Sequence, residues 1–99
     1  MPDTIRGRVV TVVDADHFYL KVSRVLGPAE HTYADEELIR ALSVRTDPSA
    51  EPVVTASKDQ LERLITGRVI DCRVIARFPG RHTLADVEVH HHKPGDGVD

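Results

Sequence analysis

Asp14 and Asp16 stand either side of one alanine, between two apolar runs. That spacing suits a tight turn, because an aspartate carboxylate bonds backbone a residue or two further on. Arg40 is the next residue with chemistry to explain. It sits within Leu38-Ile39-Arg40-Ala41-Leu42, and at a period of two Leu38, Arg40, Leu42 and Val44 share one face. A guanidinium among three core residues must meet a carboxylate or reach solvent at the mouth of the fold, and Asp16 is the natural partner. Arg40, Arg45 and Arg81 together offer a local basic cleft for phosphate, and Tyr19 is the best single residue for stacking a base. His90-His91-His92 invites a metal ion. Consecutive residues of an extended chain alternate sides, so only His90 and His92 share an ion, and two imidazoles make a weak site. His17, His31 and His82 are scattered and read as surface residues.

The elements that must position these side chains are strands and one helix. Ile5 to Val13 is rich in Val and Thr and reads as a strand ending at the Asp14-Ala15-Asp16 turn. His17 to Val22 alternates, which puts Phe18, Leu20 and Val22 on the core face of a second strand that stops at Gly27-Pro28. Tyr33 to Val44 is contested. Its residues are good helix formers by intrinsic propensity, whereas a barrel needs a strand over at least Leu38 to Val44. Thr46 to Pro52 holds Pro48 and Pro52 and reads as a loop. Ser57 and Gln60 fit a Ser-x-x-Gln capping box, and Leu61, Leu64 and Ile65 form the apolar stripe of a helix that ends before Gly67. Arg68 to Ala76 and Thr83 to Val89 follow as strands about the turn Pro79-Gly80, with Ile70, Cys72, Val74 and Ala76 sharing one face of the first and Ala85, Val87 and Val89 sharing one face of the second. These elements are too few for a two-sheet sandwich. A small closed or partly open barrel capped by the helix is the economical solution, mainly β with one helix.

Composition bounds the rest. The 99 residues make one domain, residues 1–89, followed by a polar tail at 90–99 that frays. Thirteen Lys and Arg against sixteen Asp and Glu give a net charge of −3, so the chain is no general polyanion binder. A nucleic-acid site has to work as a local concentration of arginine against the net field. With two Tyr, two Phe and no Trp, stacking platforms are scarce, and Phe18 is spent on the core. Cys72 is the single cysteine and makes no internal disulfide. The start Met1-Pro2-Asp3-Thr4 lacks the form of a secretory signal, and no apolar run approaches the ~20 residues of a spanning helix, which points to the cytoplasm and to no membrane partner.

In chain order these features resemble the staphylococcal-nuclease family of OB-type barrels. That family opens with a strand, an Asp-Gly-Asp-Thr turn and a second strand, which here reads Gly7-Arg8-Val9-Val10-Thr11-Val12-Val13-Asp14-Ala15-Asp16-His17. Its arginine-bearing third strand with a following Asp-Thr/Ala-Pro-Glu corresponds to Arg40-Ala41-Leu42-Ser43-Val44-Arg45-Thr46-Asp47-Pro48. Its helix corresponds to Ala56 to Gly67, and its second arginine turn to Arg77-Phe78-Pro79-Gly80-Arg81. The match runs from Ile5 to Val89 and rests on five weak signals in order rather than on any single motif.

The resemblance implies a five-stranded OB-type β-barrel and a phosphodiester site. Such chemistry needs a hard cation such as calcium on carboxylates, a carboxylate to activate water, and guanidinium groups for the charge on phosphorus. By the match, Asp16 and Thr46 stand at metal positions, and Arg40 and Arg81 at the two catalytic guanidinium positions. Arg45 replaces the second metal carboxylate, and Ser49 follows Pro48 where the general-base glutamate belongs. The expectation is therefore a catalytically impaired nuclease-like module, without a cofactor, that binds single-stranded nucleic acid or a protein, with Tyr19 and Arg45 as binding residues. The alternative is a calcium-dependent phosphodiesterase in which Asp47 or Glu51 swings into a missing role. Family members continue past the last barrel strand into a further helix. Without one, an apolar wall beside Thr83 to Val89 is expected to pair two copies or to dock a protein.

Overall fold

A computed structural model describes residues 3–26, 33–47 and 49–89. Strands β1 (Thr4–Val12), β2 (His17–Leu26) and β3 (Glu36–Arg45) are followed by helix α1 (Lys58–Ile65) and then by β4 (Val69–Phe78) and β5 (His82–Val89). They close in the order β1-β2-β3-β5-β4. All pairings are antiparallel except that of β3 with β5, which gives the five-stranded OB-type barrel. Gly27-Pro28, His31, Pro48 and the tail with its His90-His92 pairing lie outside the described residues. No helix among the described residues is long and apolar enough to cross a membrane.

Alternation builds the core. Ile5, Phe18, Leu20, Ile39, Ile70 and Cys72 are completely buried inside the barrel, and each large apolar side chain so buried contributes roughly 1.5–3 kcal/mol. Burial pushes the Cys72 thiol pKa up, leaving it a small inert core group. Gly7 lies where β1 shifts register against β2. A Cβ there would run into the carbonyl oxygen of Lys21, so the close approach of β1 to β2 requires glycine.

The strand period holds in β3 but the face is reversed. Glu37, Ile39, Ala41 and Val44 point inward, and Arg40 and Leu42 point to solvent. A register shift between Ala41 and Ser43 against β5 inserts a residue, so Val44 returns to the core although the residues before it are out of phase. Arg40 is thus an outer-face residue rather than one among core residues.

α1 covers one end of the barrel through Leu61 and Ile65. Ser57 Oγ accepts from the Gln60 N–H at 3.1 Å. Gln60 Oε1 accepts from Ala56 N–H at 2.7 Å, one residue before the partner a capping box prescribes. Gly67, at φ +71°, ends the helix. A buried polar layer closes the interior at the starts of β3 and β5. Glu37 accepts from Ala34 N–H at 2.6 Å, from Arg77 at 3.1 Å and from Thr83 Oγ1 at 3.3 Å. Arg77 stacks on the Tyr33 ring, whose hydroxyl donates to Asp3 at 2.7 Å. Burial and that bond to Asp3 push the Tyr33 phenol pKa up.

Candidate functional site

The β1–β2 turn is built by Asp14. Its Oδ1 accepts from Asp16 N–H at 3.1 Å and from His17 N–H at 2.9 Å, which fixes the start of β2. The His17 ring then lies with Nδ1 at 2.9 Å from a carboxylate oxygen of Asp14 and at 2.9 Å from one of Asp16. Burial works to raise the Asp14 pKa, but the bonds from His17 and from Asp16 N–H outweigh it and hold the carboxyl at about 2. Asp16 Oδ2 accepts from Arg40 Nε at 3.2 Å, and Asp16 O accepts from Ala41 N–H at 2.7 Å. Thr55 Oγ1 donates to Ala15 O at 2.5 Å, tying the chain before α1 to this turn.

Arg81 enters from the other side. Gly80, at φ +79°, makes the β4–β5 turn, and Arg81 N–H donates to Phe78 O at 2.9 Å. β5 then opens with His82, whose ring is 5.7 Å from the His17 ring in an edge-to-face contact and 5.1 Å from Phe78. Desolvation, followed by the positive charges of His17, Arg40 and Arg81, holds the His82 pKa below the usual imidazole value, with Asp16 opposing. Asp16 and Arg40 are thus in contact, and Arg81 lies in the turn that leads into His82.

Tyr19 belongs to the same face. It pairs with Leu38 across β2 and β3. The parallel register that pairs Ile39 with Thr83 carries Leu38 beside His82, and His82 pairs with Phe78. Tyr19, Leu38, His82 and Phe78 thus form one row across four strands, roughly 14 Å long at about 4.8 Å per strand. Tyr19 is 40% exposed and Phe78 42%. The next row holds His17 and Arg40. The β1–β2 and β4–β5 turns flank this wall, as the loops of an OB-fold flank its ligand face.

Arg45 and Thr46 are not brought here. Arg45 lines a separate groove of about 350 Å³ with Asp71, Arg73, Asp86 and Glu88. Thr46 follows β3 at that far end, on the order of 15–20 Å from Arg40 along the strand. Asp47 Oδ1 accepts from the Ser49 N–H and hydroxyl at 2.8 and 2.7 Å, and Glu51 is exposed. The calcium set implied by Asp16 and Thr46 is thus not assembled, and the residues do not fit that ion. Asp14, Asp16 and His17 place ligand atoms within 4.8 Å of one another, but the turn bonds and Arg40 already account for those atoms.

Sequence reasoning passed over His17, His82 and Phe78. The signal for the histidines was positional, since each opens the strand that follows a turn flanking the face. At one end of β5 the outer surface carries Asp71, Arg73, Asp86, Glu88 and Arg45, with Arg6 Nε paired to Asp71 at 2.6 Å, whereas elsewhere the neighbouring strands β3 and β4 expose Leu42 and Ile75. No protein-family model matches the chain, and neither does any curated protein or solved structure.

Proposed function

We propose that this chain is a nuclease-like OB barrel, impaired in the metal-dependent chemistry of the family it resembles, that binds single-stranded nucleic acid across the outer face of β2, β3, β5 and the end of β4. The row of Tyr19, Leu38, His82 and Phe78, with Arg40 beside it and Arg81 on the flanking turn, carries this reading. Two half-exposed rings at the ends of the row suit bases, since stacking contributes roughly 1–3 kcal/mol per base and tolerates any sequence. Arg40 engages Asp16 through Nε, and a guanidinium has further donors with which to meet a phosphate. The net charge of −3 opposes a polyanion, so affinity is modest and falls with salt.

Fluorescence anisotropy of a labelled oligodeoxythymidylate at low salt tests the reading. Tyr19→Ala and Phe78→Ala should each weaken binding by about tenfold, the equivalent of about 1.4 kcal/mol and within the range for one stacked base. Undiminished affinity in both variants, or no binding by the parent chain, refutes it.

The second reading, a calcium-dependent phosphodiesterase, has one observation in its favour, the closeness of Asp14, Asp16 and His17. Against it stand the Arg40 guanidinium on Asp16 and the remote position of Thr46.

A further inference from the structure

We propose that two copies of this chain pair face to face through the outer surface of β3, β5 and β4, about a two-fold axis that crosses β5 at Leu84. The inference goes beyond the nucleic-acid reading and does not depend on it. It starts from two register shifts, one of β3 against β5 between Ala41 and Ser43 and one of β4 against β5 between Val74 and Ala76. The residues left over are Leu42 and Ile75, one on each side of β5. A bulge re-aims the extra side chain, and here both reach the outer surface, Leu42 42% and Ile75 48% exposed. Leu84, half-buried on β5, pairs with Arg40 on one side and Ala76 on the other. Leu42, Leu84 and Ile75 thus form an apolar ridge across three strands, about 10 Å wide at about 4.8 Å per strand.

What lies on either side of the ridge makes a second copy its occupant. On one side is the row of Leu38, His82 and Phe78, with exposed Arg81 beyond it. On the other is the row of Ser43, Asp86 and Arg73, with Glu88 beyond it. A two-fold axis lying in the interface, across the strands, sets β5 of one copy antiparallel to β5 of the other. Leu84 then meets Leu84, and the row on one side meets the row on the other. Phe78 faces Arg73 of the other copy, a guanidinium against an aromatic ring, and His82 faces Asp86. Arg81 lies three residues before Leu84, whereas Asp86 and Glu88 lie two and four after it. At about 3.3 Å per residue, Arg81 therefore comes down between the two carboxylates of the other copy.

The opposite orientation is disfavoured. With the two β5 strands parallel, Arg81 meets Arg81 and Glu88 meets Glu88, so like charges oppose each other at both ends. Arg45 and Asp71, which flank Glu88 on the neighbouring strands, are of opposite sign and leave this preference in place. The face is a small part of a convex barrel wall, which places the association in the micromolar range rather than among permanent dimers.

Phe78 and Arg81 serve both this face and the nucleic-acid row, so the test is run on the whole chain without nucleic acid. Sedimentation equilibrium across the micromolar range should show a monomer–dimer equilibrium. Leu42→Lys and Ile75→Lys, both at exposed positions and checked for folding by thermal unfolding, should each weaken it by about tenfold or more. Arg81→Glu and Glu88→Arg should each weaken it by about tenfold, because the two-fold axis removes the contact twice. The double variant Arg81→Glu with Glu88→Arg should restore the affinity of the parent, which a merely structural effect of either substitution does not do. A monomer throughout the range overturns the inference. A dimer indifferent to Leu42→Lys and Ile75→Lys, or a double variant no tighter than the single charge reversals, overturns it as well.

Discussion

Asp14 and His82 have pKa values displaced in the same direction for different reasons, and each yields a measurement. Asp14 is held at about 2 by His17 and the Asp16 N–H. A carboxyl with a depressed folded value stabilises above its ordinary pKa and loses that contribution as pH falls. The loss should fall between about pH 4 and pH 2, and, because the carboxylate is half exposed, amount to no more than about 1 kcal/mol. Urea midpoints for Asp14→Asn should therefore match the parent at pH 2 and fall below it at pH 5. For His82 the folded value is lowered, so the neutral form is favoured and stability from this group drains away as pH falls below the ordinary imidazole range. NMR titration should show His82 protonating below that range, with Arg81→Ala moving it up. The Asp16–Arg40 pair was expected on the premise of an inward-facing arginine, whereas it forms on the outer face, where His17 next to Asp16 lies opposite Arg40. The two histidines were not legible, since they meet only when β2, β3 and β5 close into a wall.

At the scale of elements, β3 shows which sequence signals prevail. Good helix formers fill Glu36–Arg45, yet the segment is a strand because β2 and β5 bind both its edges and tertiary pairing overrides weak propensity. Its face was misread because the irregularity between Ala41 and Ser43 has no glycine or proline to announce it. By contrast Phe18 and Leu20 in β2, and Ala85, Val87 and Val89 in β5, follow a plain period of two and face the core as read. α1 was legible from Ser57 and Gln60, whose side chains have no better use at a helix start. Two substitutions check these accounts by chemical denaturation. Gly7→Ala should cost about 1–3 kcal/mol, because its methyl overpacks against the Lys21 carbonyl. Ser57→Ala should cost about 1 kcal/mol through loss of the bond from Gln60 N–H.

The whole molecule is electrically divided. One wall, around Asp71, Asp86 and Glu88 with Arg6, Arg45 and Arg73, is interlaced charge. The other carries exposed aromatic rings, Arg40, Arg81 and two histidines. Beside β5, charged residues at one end give way to exposed Leu42 and Ile75 on the neighbouring strands, a mixture that alternation in the sequence concealed because outward residues were not weighed together. With Asp16 engaged by Arg40 and Thr46 distant, adding calcium should produce no cleavage of single-stranded DNA, read by gel against an EDTA control. The most direct test of the binding face is the salt dependence of oligodeoxythymidylate affinity in the parent, Arg40→Ala and Arg81→Ala chains. Two phosphate contacts on a single strand predict a log–log slope of about −1.4, and each substitution should remove about 0.7 of it. Slopes unchanged by both substitutions, or affinity that persists through a several-fold rise in salt, would contradict a phosphate site built from these two arginines.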